Sequence, residues 1–331
     1  MKSWRHSRGL AIAILSFQSA RARATHSPTP TPPPAGAGTE WRSALATLVT
    51  GLAVAGWIGF SLLASAPVLA APAYTWMQAD RTAGTKDTLA KRIAPPDGFH
   101  RVAAAPGGFA DWLRGLPLKP PRTLVRLYDG RPKWFQGAHF AVIDIDTGKR
   151  DLQQCADAVM RLRAEYLYAS GRAPEIAFNE TGAKRAMSFA KWARGQRPRL
   201  SGKRLVWRRR ARPDASYRSF RRYMNIVFAY AGTYSLSREL PAKPVSDMAI
   251  GDVFVQGGFP GHAVLVADMA VNDLTGDKRF LLIQSFMPAQ DMHVLRNPAD
   301  PQKGPWYSTR FGDTLQTPEW RFTAKDLKHW R

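Results

Sequence analysis

The sequence predicts an α+β fold, and three observations carry the prediction. The strongest helical stretch, residues 151–169, comes before the strand-rich part of the chain rather than alternating with it. Three apolar, strand-like runs follow late: Asp252–Val255, His262–Met269 and Phe280–Phe286. They are joined by Gly257-Gly258-Phe259-Pro260-Gly261 and by Asn272-Asp273-Leu274-Thr275-Gly276-Asp277, short links that suit antiparallel neighbours.

Taken in order, the chain opens with residues 1–43, where a weak apolar stretch precedes Thr29-Pro30-Thr31-Pro32-Pro33-Pro34. This composition packs no core and reads as a disordered extension. Residues 44–70 follow Arg42, carry no charge and end in Val68-Leu69-Ala70, the small-residue spacing that a signal peptidase reads. They are expected to be a signal peptide cleaved after Ala70. The competing reading is a retained membrane anchor, since the run is long enough for a bilayer core of ~30 Å. Either way residues 71–331 are exported, to the periplasm or the extracellular space. Residues 71–94 read as a linker and 95–331 as one α+β domain.

Within that domain, Phe109–Leu116 fits a short helix ended by Pro117, and Arg122–Tyr128 alternates like a strand before an Asp129-Gly130 turn. His139–Ile145 is a better strand. In 151–169, Leu152, Ala156, Val159, Leu162 or Arg163, and Tyr166 recur at helical spacing, and Asp151 is placed to cap. A second helix is expected over about Lys184–Ala193, and a third from Ser216 to about Leu236 with a break at Gly232.

The composition, 45% hydrophobic and 22% charged, is that of a globular protein rather than a disordered one. The formal charge of +23, from 48 Lys and Arg against 25 acids, favours anionic partners. Lys184–Arg222 concentrates that charge: it holds fifteen Lys or Arg and the single acid Asp214, interleaved with Trp192, Trp207, Tyr217, Phe220 and Tyr223. Such a run is most simply a solvated basic face. Export argues against nucleic acid and leaves peptidoglycan or another anionic envelope polymer as the partner class. Contact with a membrane would come only through residues 44–70, if uncleaved.

One cysteine, Cys155, excludes an internal disulfide and a Cys-rich zinc site. No metal site is expected elsewhere: His139, Asp144 and Asp146 are at odd offsets from the histidine and cannot share a strand face. No cofactor is implied. Cys155 falls near the start of the 151–169 helix, where the helix dipole lowers a thiol pKa. His262 opens a strand about a hundred residues on. An imidazole beside a thiol would take its proton and pass it to a leaving group. Gln284, on the following strand, is the group expected to orient the ring, with Asp268 as runner-up on the His262 strand. Gln154, beside the cysteine, is a candidate side-chain donor to an oxyanion. The plain alternative makes Cys155 a small buried hydrophobe and His262 a core residue.

Several stretches resemble an uncharacterised bacterial family, domain of unknown function 4846: Leu116-Pro117-Leu118-Lys119, Leu127-Tyr128-Asp129-Gly130, Asp151-Leu152-Gln153-Gln154-Cys155-Ala156-Asp157-Ala158, Arg161-Leu162-Arg163-Ala164-Glu165-Tyr166, Gly251-Asp252-Val253-Phe254, Gly261-His262-Ala263-Val264 and Gln284-Ser285-Phe286-Met287-Pro288-Ala289-Gln290. The resemblance covers nearly all of residues 90–325 and implies no activity. A fainter one, through Gly251-Asp252-Val253-Phe254 and Gly261-His262-Ala263-Val264, is to the NlpC/P60 papain-like cell-wall cysteine peptidases. It implies a helix carrying the cysteine packed on an antiparallel sheet carrying the histidine. It places Cys155, His262 and Gln284 in the order nucleophile, base, polar third residue. The spacing from Cys155 to His262 is longer than usual for that group, and Ala156-Asp157-Ala158 is not its motif. The expected function is therefore an exported cysteine hydrolase, a peptidase or amidase of the cell envelope. The alternative is a non-catalytic envelope protein binding an anionic ligand or polymer through its arginine- and aromatic-rich surface.

Overall fold

The computed structural model describes residues 74–77, 87–183, 185–202, 204–299 and 304–331. The expected extension and signal segment, residues 1–70, lie outside the described residues. Among those described, no helix is long and apolar enough to cross a membrane.

The elements run α1 (Leu89–Arg92), β1 (His100–Arg101), α2 (Phe109–Arg114), β2 (His139–Val142), α3 (Cys155–Ala169), β3 (Ala177–Asn179), β4 (Ala186–Ser188), α4 (Phe189–Ala193), β5 (Gln196–Ser201), β6 (Arg204–Arg209), α5 (Tyr217–Tyr230), α6 (Thr233–Glu239), β7 (Val253–Gln256), β8 (His262–Val271), β9 (Lys278–Gln284), β10 (His293–Leu295), β11 (Tyr307–Ser308), β12 (Leu315–Gln316), β13 (Arg321–Phe322) and β14 (Leu327–Lys328). The main sheet is antiparallel, in the order β14-β7-β8-β9-β10-β2, with β1 pairing to β8 and β11 to β9. The fold is α+β, as the sequence predicts.

Strand alternation sends the two faces of this sheet into two cores. Ala263, Leu265, Leu281 and Ile283 pack with α3 and α5 in one. Val264, Val266, Phe280 and Leu282 pack with Phe254, Leu295, Tyr307, Phe322 and Leu327 in the other. The register shifts between Val266 and Asp268, and beyond that bulge Met269 joins the second core and Ala270 the first. With both faces covered, β8 is buried over nearly its whole length, which explains why its sequence is a continuous apolar run rather than a simple alternation.

The helix α3 is the central helical element. It begins later than its sequence suggests. Asp151 does not cap it: Gln154 is the N-cap, and its backbone N–H donates to Asp157 Oδ2 at 3.0 Å. The hydroxyl of Ser170 donates to the Tyr166 carbonyl at 2.8 Å, and Gly171, at φ 73°, turns the chain out of the helix. Most of the helix is buried, including Arg161 and Glu165. Arg161 Nη2 meets Asp146 Oδ1 at 2.7 Å, its Nε meets Glu165 Oε1 at 3.3 Å, and its Nη1 donates to Gln153 Oε1 and the Asp146 carbonyl. This ion cluster, buried at Arg161 and Glu165 and open to solvent at Asp146, ties the loop before α3 to the helix itself.

The basic segment differs from expectation. A strand, β4, occupies the start of the predicted 184–193 helix, and only Phe189–Ala193 is helical. The arginines of 196–209 lie on a two-stranded ribbon, β5 paired with β6. Trp192, Phe220 and Tyr223 are core residues, so the aromatic interleaving reflects packing under a basic surface rather than a run of exposed rings. The segment 122–128 forms isolated bridges and a tight turn, Leu127 N–H to Arg131 carbonyl at 2.8 Å, rather than a strand.

Candidate active site

Cys155 is the first residue of α3 and is partly exposed. Its thiol pKa is pushed up to about 12, first by burial and then by the neighbouring Asp157; the backbone N–H groups of Ala156, Ala263 and Cys155 itself pull it part of the way down. The helix dipole therefore acts, but loses. An acid in the first turn and desolvation together outweigh the terminal N–H groups, and the resting sulfur is a neutral thiol.

Ala263 connects the thiol to the sheet. Its side chain faces the α3 side, while that of His262, one residue earlier, lies on the opposite face with Phe286, Trp320 and Phe322 at ring-centroid distances of 4.9, 5.3 and 5.9 Å. The sulfur thus lies beside the peptide that follows His262. Among the described residues no hydrogen bond joins the Cys155 thiol to the His262 ring: the ring's bond is to Gln284. Burial pushes the His262 pKa down to about 4, so this partner is neutral as well.

His262 Nε2 and Gln284 Oε1 are 2.9 Å apart. The sheet register produces this meeting. Leu265 pairs with Ile283, which puts Gln284 one diagonal step from His262 on the same face. His293 is directly opposite Gln284 on β10. The amide nitrogen of Gln284 is 2.7 Å from Glu319 Oε2 and 3.2 Å from His293 Nε2, while His293 Nδ1 is 2.9 Å from the Asp291 carbonyl. Lys133, whose side chain is 4% exposed, forms an ion pair with Glu319. The result is a buried polar chain linking Lys133, Glu319, Gln284 and both histidines.

Other expected participants are engaged elsewhere. Gln154 donates its amide to Asp151 Oδ1 at 3.0 Å, so its donor holds the loop rather than standing free beside the sulfur. Asp268 is held by Arg101 and Arg114, each at 2.7 Å, on the far side of the β8 bulge; it is part of an ion cluster and does not touch His262. The bulge breaks the simple even-offset argument that paired the two. The glycines before His262 serve packing: a Cβ on Gly257 would overlap the Ser237 side chain of α6, and one on Gly261 would overlap Thr233. They admit a helix rather than a substrate.

Sequence reasoning missed Lys133, His293 and Glu319, which come from separate loops and a three-residue strand and carry no local pattern. It also missed the neighbouring amides Gln153 and Gln290. Ser285 Oγ contacts both of their carbonyl oxygens, at 3.2 and 2.9 Å, and the side-chain Nε2 of each amide is buried without a partner. Among the described residues no group of His, Cys, Asp and Glu could hold a metal ion.

Residues 89–329 match the family described as domain of unknown function (4846). The chain belongs to this family. The matched region runs from α1 to β14 and contains the whole candidate site, from Lys133 through Cys155, His262, Gln284 and His293 to Glu319. No curated protein and no solved structure matches the chain.

Proposed function

We propose that the protein is an exported cysteine hydrolase acting on amide or peptide bonds in the cell envelope. The observation that carries this reading is the 2.9 Å contact between His262 Nε2 and Gln284 Oε1, on the residue next to the one whose N–H faces the Cys155 sulfur at the head of α3. That contact leaves His262 Nδ1 as the ring nitrogen able to take a proton. In the reaction, Cys155 Sγ attacks the carbonyl carbon while its proton moves to His262 Nδ1. The imidazolium then protonates the leaving amine, and water, deprotonated by the same nitrogen, cleaves the thioester. Because thiol and imidazole are both neutral at rest, proton transfer accompanies attack instead of preceding it, and the ring and sulfur must approach before the thiol attacks any electrophile. The uncharged segment 44–70 supports export, and the positive charge supports a place near anionic wall or membrane material. The order of cysteine helix, histidine strand and polar third residue supports kinship in mechanism with papain-like wall peptidases.

A second reading is favoured by a different observation. A cavity of about 590 Å3, lined by Arg163, Tyr234, Arg238, Glu239 and Trp330, lies towards the other end of α3. With the basic β5–β6 ribbon it suits a binding protein without catalysis. Hydrolysis of p-nitrophenyl acetate and of peptidoglycan stem peptides by the full chain separates the two. Turnover that disappears in Cys155→Ala supports the hydrolase. Turnover unchanged by Cys155→Ala overturns the cysteine hydrolase, and turnover absent with both substrates favours binding.

A further inference from the structure

We infer that His293 and the Lys133–Glu319 ion pair are positioning residues, which together fix the orientation of the Gln284 amide and through it the tautomer of His262. The inference rests on the reading of His262 as the base, but its geometry stands independently of turnover.

Hydrogen-bond polarity excludes the flipped amide. Carbonyl and carboxylate oxygens only accept hydrogen bonds. The Asp291 carbonyl lies 2.9 Å from His293 Nδ1, so that nitrogen carries the proton, and in a neutral ring His293 Nε2 is then an acceptor. Burial holds this ring neutral, with its pKa down to about 3. Glu319, paired with the Lys133 ammonium, presents a second acceptor 2.7 Å from the same Gln284 amide nitrogen. Both contacts need the Gln284 NH2 on their side. A flipped amide would set its oxygen against the Glu319 carboxylate and against the His293 lone pair at the same time. The Gln284 carbonyl oxygen is therefore the atom facing His262 at 2.9 Å, and the proton it accepts must sit on His262 Nε2. The proton-accepting lone pair is thus left on Nδ1.

Two acceptors, reaching the amide from different parts of the chain, make the arrangement redundant. Glu319 comes from the loop between β12 and β13, and its neighbour Trp320 packs on the His262 ring while donating Nε1–H to Gln256 Oε1 at 3.1 Å. His293 comes from β10. Either anchor alone disfavours the flip; loss of both frees it. A group that served only to fill space would not discriminate between the two faces of the amide.

The test is long-range 1H–15N NMR of the imidazole nitrogens in the full chain, with p-nitrophenyl acetate turnover measured in parallel. The wild type should show His262 protonated at Nε2 and His293 at Nδ1. The double substitution Lys133→Met with Glu319→Leu removes one anchor without stranding a buried charge, and His293→Phe removes the other. Each should leave His262 largely in the Nε2–H form, and their combination should produce a mixture containing Nδ1–H. If turnover is present, the combination should lower kcat at least tenfold with KM little changed. Wild-type His262 protonated at Nδ1, or a folded combined variant that keeps Nε2–H alone, would overturn the inference. If the combined variant does not fold, the wild-type tautomers decide it. If the tautomers follow the expected pattern but turnover survives Cys155→Ala, the hydrolase reading fails while the amide lock stands.

Discussion

At the scale of single residues, the site is governed by desolvation. His262 and His293 both have their pKa values lowered by burial, to about 4 and about 3. The unfolded chain, with histidines near 6.5, binds more protons than the folded one between those values, so stability is full above about pH 6.5 and falls as the pH drops towards 4. For His262 alone the loss is on the order of 3 kcal/mol. Urea midpoints at pH 7 and pH 4.5 should show a larger drop for the wild type than for His262→Phe; equal drops would mean that the ring is not buried neutral. Arg161 makes a second residue-scale case. It is fully buried and serves Asp146, Glu165 and Gln153 together. Arg161→Met strands the Glu165 carboxylate and should cost roughly 3–5 kcal/mol in urea denaturation. A loss under about 1 kcal/mol would show that the cluster is no more than a surface-type pair.

At the scale of elements, the sequence was legible where one local pattern decides the outcome. The three late strands, the break at Gly232 and the helix carrying Cys155 follow from apolar periodicity and turn residues. The start of that helix does not: Asp151 is the favoured capping type, but it accepts from the Gln154 amide instead, and Gln154 takes the N-cap position with its backbone N–H on Asp157. The 184–193 helix fails for a related reason: Met187 has to pair with Phe178 in a ribbon, and tertiary pairing overrides helical propensity. His262 and Gln284 could be found because each opens or closes a readable strand. Glu319, Lys133 and His293 could not, because only the folded chain brings their segments together. The β7–β8 link offers a test at this level. Gly257→Ala puts a methyl group against Ser237 and Thr233 of α6 and should destabilise by about 1–3 kcal/mol through overpacking. A thermal midpoint equal to that of the wild type would contradict the close helix–strand approach.

At the scale of the whole molecule, the sheet separates the two candidate catalytic groups. The thiol belongs to the α3 side and the imidazole network to the other, and they meet only at the His262–Ala263 peptide. Catalysis by Cys155 with His262 as base requires that this separation be crossed. The most direct measurement is the rate of Cys155 alkylation by iodoacetamide between pH 5 and 9, in the wild type and in His262→Ala. A thiol served by the imidazole should react in the wild type at a rate nearly independent of pH above about 5, because His262 stays available as base above its pKa of about 4. In His262→Ala the rate should be lower at pH 7 and climb about tenfold per pH unit, following an isolated thiol whose pKa is near 12. Coincident profiles for the two proteins, both climbing with pH, would contradict the account and leave Cys155 as a packed residue of the helix.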